Sequence, residues 1–243
     1  MSPAYKRGDP LLNRKPLFLV VSRLISVIVI ILGWPILKFL YGFRIKGRIS
    51  KHSLPAILIS NHCLPLDPLL QGLALFPRFT YFTLLEETVL TPILGTLVRL
   101  LGGIPLPPDP SRLPDIEQAV KTALDTRQLI HFYPEGECFL LNQDVKIFKA
   151  GAFYYAIVFQ VPLIPLVTVI KKKRRFRAST IILPPIQPPP RSATERENIR
   201  AAIHFARRVQ AQVQTCIDTE GGNHSLYRGP MPRIKGVNDR TRG

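Results

Sequence analysis

From Pro55 onward the chain alternates short β-branched or aromatic runs with helix-patterned segments, and no other feature limits its fold as tightly. The runs at 56–60, 79–85, 104–106, 128–133, 163–170 and 176–183 read as strands. Segments 69–75, 92–101, 114–126 and 147–159 read as the helices between them. Repeated strand–helix alternation is the pattern of an α/β domain: a mostly parallel central sheet whose crossovers are helices packed on its faces. The proline-rich stretch 184–190 is an extended link. Thr194-x-x-Glu197 then opens a last helix as a capping box, with Ile199, Ile203, Ala206, Val209, Val213 and Ile217 as its apolar stripe. These elements define one domain over 51–218, followed by a basic, flexible tail at 219–243 with little apolar content.

The other end of the chain has a different character. Residues 1–16 form a basic tail carrying Lys6, Arg7, Arg14 and Lys15 against Asp9, and an apolar stretch follows. No charge interrupts 24–37, but a helix of that length reaches only roughly 21 Å, short of a ~30 Å hydrocarbon core. Extension back to Leu17 encloses Arg23, and Pro35 would kink or end the helix. No small-x-small cleavage site follows, which argues against a signal peptide. Arg44, Lys46, Arg48 and Lys51 make the far flank positive too, so charge gives a single span no orientation. A kinked or re-entrant membrane anchor over 17–50, both flanks on the cytoplasmic face, accommodates length, proline and charge together; a buried core helix is the alternative.

Net charge agrees with an anionic partner: 33 Lys and Arg against 16 Asp and Glu give +17. Lys171-Lys172-Lys173-Arg174-Arg175-Phe176-Arg177 concentrates it, either against an anionic leaflet or as a solvated hairpin turn. No zinc finger, RNA-recognition signature or basic zipper accompanies the charge, so no nucleic-acid partner is expected. Cys63, Cys138 and Cys216 are odd in number and lack ligand spacing, which argues against both a disulfide framework and a metal site.

Two clusters able to do chemistry leave the carboxyl ends of expected strands, where α/β sites gather. In Asn61-His62-Cys63-Leu64-Pro65-Leu66-Asp67-Pro68, the simplest role for Asp67 is an N-cap before a proline at the first helical position. His62 could equally be a histidine that merely bonds backbone. A loop through Pro65, however, can return the carboxylate to the imidazole, fix its tautomer and leave the second ring nitrogen as a base. In Tyr133-Pro134-Glu135-Gly136-Glu137-Cys138 a turn sets Glu135 beside that loop, either as a working group or as an ordinary turn residue. Phe148-Lys149-Ala150-Gly151 adds a cation near a helix start, and Val161-Pro162-Leu163-Ile164-Pro165 can only shape a wall. Cys63 adjoins His62, but neighbours on an extended segment point oppositely, which makes a poor nucleophile–base pair.

His62-x4-Asp67, Gly102-Gly103-Ile104-Pro105, Pro134-Glu135-Gly136, Phe148-Lys149-x-Gly151 and Val161-Pro162-x-Ile164-Pro165, in this order, resemble the PlsC-type glycerolipid acyltransferase family. The resemblance runs from about Asn61 to Leu166. It implies a membrane-associated enzyme of phospholipid biosynthesis that moves a fatty acyl group from acyl-CoA or acyl carrier protein, with no other cofactor, to a lysophospholipid hydroxyl. His62 matches the general base, Asp67 its orienting partner, and Glu135 an acceptor-holding residue. Asn61, Gly103, Gly136, Cys138 and Lys149 match positions lining the substrate. Two positions depart from the pattern: Pro108 and Cys138 stand where phosphate-contacting arginines are common, and neither can grip phosphate in a bidentate manner. The departures suggest an acceptor other than a phosphomonoester, unless Lys149 or Arg112 substitutes. A silent lipid-binding protein and a lipid hydrolase are the competing readings.

Overall fold

The computed structural model describes residues 4–172, 175–235 and 237–238. Helix α1 (Pro16–Tyr41) leads into β1 (Arg44–Lys46), β2 (Ala56–Ser60), α2 (Asp67–Leu75), β3 (Tyr81–Leu85), α3 (Glu86–Leu90) and α4 (Leu94–Leu100). Then follow β4 (Gly103–Leu106), α5 (Leu113–Arg127), β5 (Leu129–Phe132), α6 (Gly151–Phe159), β6 (Leu163–Lys172), β7 (Phe176–Ile182) and α7 (Glu195–Thr219). Among the described residues seven strands form one sheet, in the order β1-β7-β6-β2-β5-β3-β4. All pairs are parallel except β6 with β7. The mostly parallel sheet expected from the strand–helix alternation is the one observed.

Strands β2 and β5 are buried along their whole length, which is why both are mostly apolar, with Ser60 and His131 as the polar exceptions. Ile57, Ile59, Ile130 and Phe132 turn to the face covered by α5, α6 and α7. Leu58, Leu129, Ile164 and Leu166 fill the opposite face, where Leu70 and Leu73 of α2 join Leu37 of α1 in a neighbouring cluster. The chain leaves β2 toward one side of the sheet and β5 toward the other, so a crevice opens between their carboxyl ends.

Several elements differ from expectation for identifiable reasons. Strand β1 was not foreseen, because a single apolar Ile45 between Arg44 and Lys46 carries no periodicity; it is added by pairing with β7. Helix α3 lies hidden in the polar Glu86-Glu87-Thr88 start that follows β3 directly. Helix α6 begins at Gly151 rather than 147, since the amides before it are bound elsewhere: Phe148 N donates to Gln210 and Lys149 N to the Pro134 carbonyl. The described part of the basic run lies on the antiparallel strands β6 and β7, with Lys171 opposite Arg177 and Lys172 opposite Phe176; Lys173 and Arg174 lie outside the described residues.

Helix α1 continues past Pro35 and closes at Gly42, whose positive φ lets its N–H reach the Leu37 carbonyl. It is not a core helix. Ser22, Ser26, Gly33 and Leu37, one stripe of mostly small residues, are buried against the domain. Leu17, Leu24, Ile28, Ile31, Ile36 and Phe39 stay exposed, Phe39 by 85 %. Of the N-terminal tail, residues 4–15 pack on the domain, with Tyr5 and Leu11 buried. Of the C-terminal tail, residues 221–235 return across the sheet's carboxyl edge, with Leu226 buried; residues 236 and 239–243 lie outside the described ones.

Candidate active site

The loop between β2 and α2 closes around one carboxylate. Oδ2 of Asp67 accepts the amides of Cys63 and Leu64, each at 2.8 Å, and stands 2.9 Å from Nδ1 of His62. Asp67 is therefore not the N-cap: Leu66 takes that place, and the Asp67 side chain turns back to tie the loop that precedes it. Pro65 and Pro68 favour this bend, since neither brings an amide that would need a partner. Three donors on one oxygen hold the carboxylate in place, and its charge favours a proton on Nδ1. Nε2 of the imidazole is then the basic nitrogen, on a side chain 19 % exposed.

The other wall is the turn after β5. Glu135 is buried, and its carboxylate joins two segments: Oε1 accepts the His62 amide at 3.0 Å and Oε2 the Lys146 amide at 3.2 Å. Burial pushes its pKa from 4.5 up to about 7, against the two amides, which favour the ionised form. What Glu135 visibly holds is the backbone of His62. Gly136 has φ +74°, and a Cβ there would sit 2.9 Å from Cε of Lys149, so the missing side chain lets the exposed lysine fold over the turn.

The remaining sequence-derived residues distribute unevenly. The Asn61 amide bonds the backbone of Thr168 in both directions, at 2.9 and 2.8 Å, extending the β2–β6 pairing by one step to brace the loop. Cys138 is buried, with its thiol pushed up to about 12 by burial and then by the Asp67 and Glu135 charges. Cys63 is fully buried, its thiol also raised by burial, and it faces Asn61 and Gln143; a thiol held protonated is no nucleophile. Gly103 belongs to β4, where a Cβ would meet the Val98 carbonyl oxygen at 2.7 Å, a packing role. Arg112 is committed to Tyr5, Glu86, Asp115 and the Asp9 carbonyl. Among the described residues, no group of three or more His, Cys, Asp or Glu side chains is gathered to hold a metal ion.

Sequence reasoning missed the layer beneath the imidazole. The Tyr133 ring stacks on His62 with centroids 4.1 Å apart, and His131 meets the Tyr133 ring edge at 4.7 Å. The Tyr133 hydroxyl donates to Gln71 at 2.5 Å, and Gln71 donates to Ser60 at 2.8 Å. Gln71 lies four residues after Asp67 on the same helix, a one-turn spacing that could have flagged it. His131 is buried, with neither ring nitrogen bonded, and burial followed by the nearby His62 lowers its pKa to about 3. It is a neutral ring in the core.

A parallel α/β sheet with an acid-oriented histidine at its carboxyl edge defines a class capable of general-base chemistry on a bound substrate. The chain belongs to the Acyltransferase family, whose model matches residues 43–169, just over half of its length. Its relatives are glycerolipid enzymes. It is 29 % identical over 207 residues to 1-acyl-sn-glycerol-3-phosphate acyltransferase alpha of Ovis aries, covering 79 % of this chain and 70 % of that one. The Homo sapiens alpha enzyme is 28 % identical over 204 residues, covering 79 % and 71 %. The fold is shared with the crystal structure of the 1-acyl-sn-glycerophosphate acyltransferase PlsC from Thermotoga maritima. The TM-score there is 0.52 at 20 % identity, over 81 % of this chain and 79 % of the other.

Proposed function

We propose that this acyltransferase moves a fatty acyl group from an acyl thioester, acyl-CoA or acyl carrier protein, to the hydroxyl of a lysophospholipid, with His62 as general base. The 2.9 Å contact between Nδ1 of His62 and Asp67 carries the reading, because it leaves Nε2 as the basic nitrogen. As the acceptor oxygen bonds the thioester carbonyl carbon, its proton passes to Nε2. Asp67 stabilises the imidazolium so formed, and the carbon–sulfur bond then breaks, with the same proton passing to the departing thiolate. The substrate's own hydroxyl is the nucleophile, so no serine is required. A positioned base accounts for about 10²–10⁴-fold of rate, or roughly 3–5 kcal/mol. No cofactor beyond the thioester enters these steps.

The same reading attaches the enzyme to a membrane through α1. Its docked stripe runs from Ser22 to Leu37, so the helix rides lengthwise on the domain and offers its other face to lipid. Phe76, Ile93, Leu94 and Leu97, exposed around α2 and α4, extend that apolar side. Basic flanks at Arg14, Lys15, Arg44 and Lys46 suit the anionic cytoplasmic leaflet. The relatives' names point to 1-acyl-sn-glycerol 3-phosphate as acceptor. Although Pro108 and Cys138 bring no cation, Lys146 and Lys149 flank the Glu135 turn.

A radiolabelled thioester supplied to the purified protein with and without lysophospholipid tests this. Label in a diacyl product supports the proposal. Free fatty acid in either arm without diacyl product would make the protein a hydrolase, and no turnover would make it a silent binding protein.

A further inference from the structure

Residues 138–141 form the middle layer of a three-ply arrangement. On one side the amides of Phe139 and Leu141 donate to the carbonyls of His62 and Cys63 at 2.9 and 2.8 Å. On the other side the C-terminal segment is laid down like an added strand. Leu140 N donates to the Gly229 carbonyl at 2.9 Å, Arg228 N to the Leu140 carbonyl at 2.9 Å and Met231 N to the Cys138 carbonyl at 2.7 Å. The segment then crosses toward α3, where Thr88 Oγ1 donates to the Val237 carbonyl at 2.7 Å. It thus spans from the turn after β5 to the end of β3, along the carboxyl edge that holds His62. This path brings one guanidinium to the turn after β5: Arg233 pairs with Glu137, two residues along the chain from Glu135.

We infer that the C-terminal strap completes the acceptor site, with Arg233 supplying the guanidinium that holds the phosphate ester of the lysophospholipid. The inference rests on the acceptor class proposed above. Three observations converge on it. Cys138, directly beneath the strap, carries no charge, and Arg112 is spent on the N-terminal segment. Arg233 is 47 % exposed, with N–H groups left over after Glu137 and the Asn238 carbonyl; a part-exposed ion pair of this kind is weak, so a phosphate can displace or join it. Lys146 adds a second cation at the same junction, its ammonium 5.2 Å from the Tyr227 ring of the strap and 5.8 Å from the Phe139 ring of the loop. Left uncompensated, Glu137 would repel a phosphate at this rim; the Arg233 pair offsets that charge without being needed to place the guanidinium, which the strap's backbone bonds carry to the rim.

The test compares kcat/KM of the full-length protein for three acceptors: 1-acylglycerol 3-phosphate (a monoester), lysophosphatidylglycerol (a diester) and uncharged 1-monoacylglycerol. Arg233→Gln should lower the phosphate-to-uncharged ratio by about 10- to 100-fold, the range of a charge-assisted contact; whichever phosphate acceptor loses more identifies the natural ester. Glu137→Gln should leave that ratio equal or higher, because it removes the repulsion and frees the guanidinium. If the ion pair only pins the strap, the two variants depress all acceptors alike, and the inference is overturned. It is overturned equally if Arg233→Gln leaves the ratio in place. Transfer by the wild type to monoacylglycerol alone refutes the phosphate grip while sparing the acyltransferase mechanism, whereas no transfer to any acceptor refutes the proposed function itself.

Discussion

The loop carrying His62 and helix α1 both belong to the first 70 residues, and they are held in opposite ways. Around His62, Asp67 takes three donors, Glu135 two and Asn61 exchanges two bonds with Thr168. These bonds tie that loop to β6 on one side and to the turn after β5 on the other. Along α1, Ser22, Ser26, Gly33 and Leu37 touch the domain while most large apolar side chains face outward. An apolar face of that extent marks a surface meant for another apolar phase. One region is specified by hydrogen bonds within the protein, the other, under the proposed membrane attachment, by lipid, and substitutions should fail differently in each.

The largest effect is expected at the loop. Asp67→Asn removes the charge that stabilises the imidazolium and should lower kcat by about 10²–10⁴-fold, read in the thioester assay on protein whose circular dichroism is unchanged. On α1 the outward face should be separable from the inward stripe. Ile28→Glu with Ile31→Glu, both more than half exposed, should weaken partition into phosphatidylglycerol vesicles by about 10- to 100-fold in sedimentation while the melting temperature hardly moves. Gly33→Leu does the reverse. A Cβ at Gly33 already stands 3.4 Å from Leu69 Cδ1, so the larger side chain should destabilise the protein by about 1–3 kcal/mol in urea unfolding.

How much of this contrast could be read beforehand depended on whether a residue's partners were near in sequence. Strand β2 matched its expected bounds because residues 56–59 are an unbroken apolar run between a proline and the polar Ser60-Asn61-His62. His62 and Asp67 stood out because five residues can fold back on themselves. Tyr133 and the bracing role of Asn61 were illegible, since their partners come from α2, the loop after β2 and β6, far along the chain, and His131 packs against Phe82 of β3. The C-terminal segment was opaque for a related reason. Poor in apolar residues, it is held by backbone bonds to 138–140, which leave no pattern in side chains. The same holds for Glu135, whose backbone partners are invisible to composition.

Smaller effects sharpen the picture of the loop. Gln71→Leu strands the Tyr133 hydroxyl and Ser60, and should cost about 1–3 kcal/mol in urea unfolding with a lesser loss of rate. Glu135 offers the mildest probe. Its folded pKa of about 7 lies above the ordinary 4.5, so between those values the native state retains a proton that the unfolded chain has lost. Its contribution to stability is therefore fully present below pH 4.5 and is lost as pH rises toward 7. The melting temperature of Glu135→Gln should decline less over that window than that of the wild type.

The central claim is that one imidazole nitrogen, oriented by Asp67, takes the acceptor's proton. Its most direct test is the single-turnover rate of acyl transfer from thioester to lysophospholipid by His62→Ala, beside wild type, with melting temperatures compared. The account predicts a loss of at least about 100-fold at a retained melting temperature. Transfer by the variant within a few-fold of wild type would contradict it.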